Sequence, residues 1–146
     1  MFNKVNPTGF RIIMNPTKNL ISRWFTTNPK RYKEYLAEDM KLRTALMTKL
    51  KIAGVAKIEI ERSIKSMKVI IYVSRPGVVI GRGGAGIEDL KKYITKLTPA
   101  AKIDLQVEEI KNPDCNAYLV AMRVAEQLEK RLPARRVANK AIERIM

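Results

Sequence analysis

The sequence predicts an α+β fold with the order α-β-β-α-α-β, between a basic N-terminal arm and a pair of C-terminal helices. Three stretches carry that prediction. Lys57-Ile58-Glu59-Ile60-Glu61-Arg62 alternates with period two, and Lys68-Val69-Ile70-Ile71-Tyr72-Val73 follows after the short connection Ser63 to Ser66, as in an antiparallel hairpin. Val78-Val79-Ile80-Gly81-Arg82-Gly83-Gly84-Ala85-Gly86-Ile87 runs from an apolar turn through four glycines and an arginine. After it, Ile87, Leu90, Ile94 and Leu97 recur at i, i+3, i+7 and i+10, one buried helical stripe.

Residues 1–28 show no helical or strand period, because Pro7, Gly9, Pro16 and several Asn and Thr interrupt them. The arm carries Lys4, Arg11, Lys18 and Arg23 and no acid, with Phe10, Trp24 and Phe25 interspersed. It reads as an extended basic arm with apolar anchors, suited to lie along RNA phosphates. A disordered tail is the other reading.

Asn28-Pro29 is a helix start, an N-cap residue before a proline at the first position. From about 32 to 53 the apolar set Tyr32, Tyr35, Leu36, Met40, Leu46, Met47 and Leu50 has helical spacing, with a break near Glu38-Asp39 left open. Gly54 ends it. Lys41, Arg43, Lys49 and Lys51 stand mostly on the other side, as a solvated face or an RNA-facing one.

The hairpin strands come next, with Glu59 and Glu61 expected in solvent on one strand face. Arg75-Pro76-Gly77 stops the second strand, and Val78 to Ile80 reads as one helical turn. Pro99 closes the helix after the glycines. Residues 102–108 form a third strand with Ile103, Leu105 and Val107 on one face. Asn112-Pro113 opens a helix expected over 113–132, with Tyr118, Ala121, Met122, Ala125, Leu128 and Leu132 turned inward. A last helix over 135–146 carries Val137, Ala141 and Ile145.

Composition narrows the function. Net charge is +15 and the pI about 10.2, which points to nucleic acid or an anionic membrane as partner. No apolar run approaches the roughly 18–20 residues of a membrane span, and the first residues lack a signal-peptide apolar core, so no membrane partner is expected. Histidine is absent, which removes the usual general base and zinc ligand. Cys115 is the only cysteine, so a cysteine metal cluster and an intrachain disulfide are excluded, and it reads as an idle side chain. No catalytic residue, metal site or cofactor is expected, and the chain does not read as an enzyme.

Two patterns fit the glycines. G-x-G-x-x-G, on Gly81, Gly83 and Gly86, would hold a dinucleotide. I-G-x-x-G-x-x-I, on Ile80, Gly81, Gly84 and Ile87, is the clamp of a KH domain on single-stranded RNA. The first requires a strand feeding directly into Gly81. Ser74-Arg75-Pro76-Gly77 cuts the strand earlier, and too little sheet remains for a dinucleotide fold, although Asp104 or Glu109 stands roughly 20 residues downstream as that pattern asks. The KH pattern uses every element, in the type II arrangement. Ile80 and Ile87 would bury on either side of the loop, Gly81 and Gly84 would admit the RNA backbone, and Arg82 would supply charge. Gly83 takes a second common basic position, and Arg75 would reach the same strand of RNA.

The chain resembles the N-terminal two thirds of the third small-subunit ribosomal proteins of bacteria and organelles. The resemblance rests on Lys4-Val5-Asn6-Pro7-Thr8-Gly9-Phe10-Arg11, on Ile58-Glu59-Ile60-Glu61-Arg62 and on Ser74-Arg75-Pro76-Gly77-Val78-Val79-Ile80-Gly81-Arg82-Gly83-Gly84. Glu109-Ile110-Lys111-Asn112-Pro113 and Leu128-Glu129-Lys130-Arg131 complete it. It implies a structural constituent of the small-subunit head that binds the 3′ domain of the small-subunit rRNA and lies at the mRNA entry channel. The implied neighbours are the second, tenth and fourteenth small-subunit proteins, and the place is a ribosome in a bacterial cytoplasm or an organelle. Lys4, Asn6, Arg11, Lys18 and Arg23 of the arm and Arg75, Ile80, Gly81, Arg82, Gly83 and Gly84 of the loop are the implied RNA contacts. An R-R-x-x-K pattern facing mRNA falls on Arg135, Arg136 and Asn139, with Lys140 one place late. A free-standing KH regulator of single-stranded RNA is the alternative.

The expected division is a basic extension over 1–28, a type II KH domain over 29–112, and the helical start of a second domain over 113–146. Members of that family continue into a sheet that packs on those helices. A separate chain, or residues beyond those given, would supply it.

Overall fold

The computed structural model describes residues 4, 5, 7, 10, 20–63, 66–98 and 102–146. Asn6, Arg11 and Lys18 lie outside the described residues.

Helix α1, Pro29–Lys49, starts as the sequence predicts: the Asn28 side chain accepts from the Lys30 N–H, and Pro29 takes the first position. It is continuous through Glu38-Asp39. Its buried residues are Asp39, Leu42 and Leu46, so the buried face is rotated from the expected stripe, and Tyr32, Leu36 and Met40 are exposed. A 3-10 turn, Lys51–Ala53, follows and Gly54 leaves it at φ 67, the left-handed conformation a glycine adopts without Cβ strain.

Strands β2, Val55–Arg62, and β3, Met67–Val73, form the antiparallel hairpin, with Ile58 opposite Ile71 and Ile60 opposite Val69. β4, Ile103–Glu109, runs parallel to β3 with Leu105 opposite Val69. The arm adds what the sequence did not suggest. Ser22–Arg23 forms a short strand, β1, parallel to β2, and the sheet order is β1-β2-β3-β4.

Between β3 and β4 the chain makes α2, Pro76–Ile80, a 3-10 turn at Arg82–Gly84, and α3, Ala85–Leu97. One face of the sheet supplies Ile58, Ile60, Val69, Ile71 and Leu105 to the core. Leu42 and Leu46 of α1, Val79 of α2 and Leu90 and Ile94 of α3 close it. Every one of these side chains sits on the period its element requires, two in strands and 3.6 in helices.

At the C-terminal end the Asn112-Pro113 device opens only a 3-10 turn, Pro113–Cys115. Asn116 is the true cap of α4, Ala117–Glu129, accepting from the N–H groups of Tyr118 and Leu119. α5, Ala134–Ile145, packs back on α4 and buries Val137. Tyr118, Leu128 and Leu132, expected inward, are exposed; Leu119 is the residue α4 buries. No helix among the described residues is long and apolar enough to cross a membrane.

Candidate nucleic-acid interface

β3 ends at Val73, and the next residues are stitched to the turn after α1. The Ser74 N–H donates to the Gly54 carbonyl at 3.0 Å, the Arg75 N–H to Ala53 at 3.2 Å, and the Ser74 hydroxyl also to Ala53. The strand therefore never reaches Gly81. A whole helix, α2, intervenes, which removes the geometry a dinucleotide turn requires.

Three glycines of the loop have positive φ: Gly81 at 69, Gly83 at 63 and Gly84 at 83. Their surroundings differ. A Cβ on Gly83 or Gly84 would meet nothing within 4 Å, so this backbone faces open space that a ligand chain can approach. A Cβ on Gly81 would stand 3.1 Å from the Gly86 nitrogen. A Cβ on Gly86 would stand 2.4 Å from the Val79 carbonyl oxygen and 2.9 Å from that of Ile80. Gly86 is thus the residue that lets α3 start hard against the end of α2. The KH pattern assigns it no role in the clamp. Its spacing from Gly81 is visible in the sequence, but the collision it avoids comes from tertiary packing.

Arg82 is exposed at the tip, and Arg75 is exposed at the start of α2. The N-terminal end of α3, which has no side-chain cap, adds partial positive charge beside Gly84. Glu88 and Asp89 follow in the first turns of α3, and Lys91 and Lys92 come after them. Ile80 is not buried as expected but 37% exposed; Val79, at 1%, takes the buried place on the loop's inner side. A helix as short as α2 buries only one side, and Val79 occupies it. Ile87 is half-buried against the core.

The arm is engaged by side chains. The Ser22 hydroxyl and the Trp24 indole N–H both donate to Asp39 Oδ2 at 2.8 Å, while Arg62 donates to Oδ1 through Nε at 2.9 Å and Nη2 at 2.7 Å. Trp24 packs against Tyr32 and Tyr35, and the Arg62 guanidinium lies over the Tyr35 ring. Arg43, one of the cations read as a solvated or RNA-facing row, turns to Ser22 and the Ile21 carbonyl, and its burial pushes its pKa down. Arg23 pairs with Glu59 and Glu61 on the sheet. Lys4 is exposed.

Glu59 is not solvated as expected but 4% exposed, held by Lys57 and Arg23. Burial, with Glu59 and Glu108 beside it, pushes the Tyr72 hydroxyl pKa up. By strand alternation this outer sheet face carries Glu59, Glu61, Asp104 and Glu108 against Arg23, Lys57 and Lys68. It is not the cationic surface. Arg135, Arg136 and Lys140 are exposed on α5. Among the described residues no cluster of metal-ligating side chains occurs, and Cys115 is exposed.

Comparison with known proteins adds to this geometry. A family model described as KH domain matches residues 41–115, from α1 through the glycine loop and β4. The small ribosomal subunit protein uS3 of Caldicellulosiruptor saccharolyticus is 45% identical over 146 residues, all of this chain and 64% of that protein. The protein of the same name from Lachnoclostridium phytofermentans is 47% identical, again over 64% of its length. That of Nitrosomonas europaea is 43% identical over 66% of its length. The chain thus spans a little under two thirds of the length of these relatives.

Proposed function

Because this chain belongs to the KH domain family, we propose that it is an RNA-binding structural constituent of the small ribosomal subunit. The observation that carries the RNA-binding part is the pair Gly83 and Gly84, whose positive φ and open surroundings present bare backbone beside the start of α3. Arg82 and Arg75 neutralise phosphates on either side. Similarity to uS3 proteins over the whole chain supports the ribosomal part.

In the finer reading, the chain binds the 3′ domain of the small-subunit rRNA in the subunit head. Arg135, Arg136 and Lys140 face mRNA at its entry channel. The neighbours are the second, tenth and fourteenth small-subunit proteins. Residues 29–112 act as the KH unit, and residues 113–146 begin a second domain. The exposed Leu128, Leu132, Ile142 and Ile145 are the surface which the rest of that domain, in this or another chain, covers. The protein has a scaffolding and RNA-guiding role rather than a catalytic one.

Sedimentation with small subunits at moderate salt tests the assignment. Co-migration that survives a wash with competitor RNA is expected. Release into the free fraction, with binding to short single-stranded RNA retained, would replace it with a free-standing KH regulator.

A further inference from the structure

A second basic recess lies at the other end of α2 from the glycine loop. Its KH wall is the Lys51–Ala53 turn, Gly54, Ser74 and Arg75; its far wall is Pro113, α4 and Arg144. The KH wall is tied together by the Ser74 and Arg75 hydrogen bonds to Ala53 and Gly54. Gly54 admits no side chain there, since its Cβ would lie 2.3 Å from the Ser74 hydroxyl.

The lining has the two components that single-stranded RNA requires. Lys51, Arg75 and Arg144 are exposed, and none takes part in an ion pair among the described residues. Arg123 is held by Asp114, which lies outside the recess, and Glu126 is the one acid of the lining among the described residues. Tyr118, 46% exposed, and Ile52, 79% exposed, offer an aromatic face and an apolar edge on which a base can stack.

The recess is also continuous with the loop. α2 has five residues, about 7.5 Å of helix, with Arg75 at its start and Gly81 at its end. Gly77 and Val78 are exposed along it, and a Cβ on Gly77 would meet nothing within 4 Å. We propose that the recess between the Lys51–Ala53 turn and α4 is a second subsite for single-stranded RNA, which takes the strand leaving the glycine loop along α2. This rests on the RNA-binding reading above. The ligand chemistry is a phosphate backbone with one unstacked base; rRNA and mRNA share it.

Filter binding of the purified chain to an unstructured single-stranded RNA, as a function of salt, tests it. Three variants are compared. Lys51→Gln with Arg144→Gln removes two cations of the recess. Gly77→Glu places an acid on the connecting ledge, where it repels phosphate and where its Cβ has open space. Arg82→Asp with Ala85→Asp acts at the loop alone. The recess pair should flatten the slope of log K against log salt by roughly 0.7 for each phosphate no longer neutralised, and Gly77→Glu should weaken binding several-fold. Both should retain native circular dichroism. If the loop variant loses affinity while the other two match the parent, the recess subsite is overturned and the RNA-binding reading stands. If all three match the parent, both fall. Normal RNA binding by the recess pair, with a neighbouring protein released from assembled subunits, would assign the recess to that protein and overturn the proposal. A flattened salt slope in the recess pair, together with thiouridine adducts on Tyr118 of the parent, would establish it, and rRNA or mRNA probes then identify the source.

Discussion

Asp39 shows how much a single residue can carry. It is fully buried and accepts four hydrogen bonds, from Ser22, Trp24 and Arg62, so that it ties the arm, α1 and β2 at one point. Asp39→Ala leaves the buried Arg62 with Glu38 as its remaining acid and takes the acceptor from Ser22 and Trp24, and should cost about 3 kcal/mol, measured by urea unfolding. Nothing in the sequence marks that carboxylate as buried, because its partners lie on β2 and the arm. Gly86 and Gly83 separate two causes of glycine dependence. Gly86→Ala drives a Cβ against backbone oxygens and should destabilise strongly. Gly83→Ala costs only the left-handed strain, about 1–2 kcal/mol. Equal losses in thermal unfolding would refute the distinction. Tyr72→Phe should remove a tyrosinate step lying above the ordinary phenol range, read by ultraviolet titration. Because that pKa is raised on folding, the group's contribution is present below the unfolded value and is lost as pH climbs through the folded one.

Among the elements, the hairpin, β4, the short α2 and the helix after the glycines were legible, because each shows its own period or is bounded by a proline or glycine. α1 was legible as a helix but not in its facing. Its buried row is Asp39, Leu42 and Leu46, continued by Leu50 just past its end, and an acid at the head of a row disguises it. β1 was invisible because two residues carry no period. α4 misled in two ways. Its cap is Asn116, and its apolar residues form two faces. Leu119, with Val120 and Val124, meets the neighbouring elements, while Tyr118, Leu128 and Leu132 stay open. Asn116→Ala should therefore lower stability by about 1 kcal/mol, and Asn112→Ala by much less, since Asn112 makes no side-chain cap bond. Arg131, after α4, has φ 58, and Arg131→Gly should raise stability by about 1 kcal/mol. Urea midpoints of the three variants check all of this.

For the whole molecule, the charge of +15 narrowed the partner to nucleic acid or an anionic membrane but said nothing of where it would bind. Folding sorts the cations. Arg23, Arg43 and Arg62 are committed to the joint between arm and sheet, and the outer sheet face is nearly balanced. Arg75, Arg82, Lys51 and Arg144 remain available around α2. The glycine motif marked where the backbone turns to positive φ, because that requirement is written in residue type. The recess beside it was not legible, since its walls come from segments more than 60 residues apart, Lys51 and Pro113 among them. Photocrosslinking of the chain to thiouridine-bearing single-stranded RNA, with the adducts mapped by peptide mass spectrometry, tests the central claim most directly. Adducts should concentrate on residues 78–87. Adducts confined to the outer sheet face, with none on the loop, would contradict it.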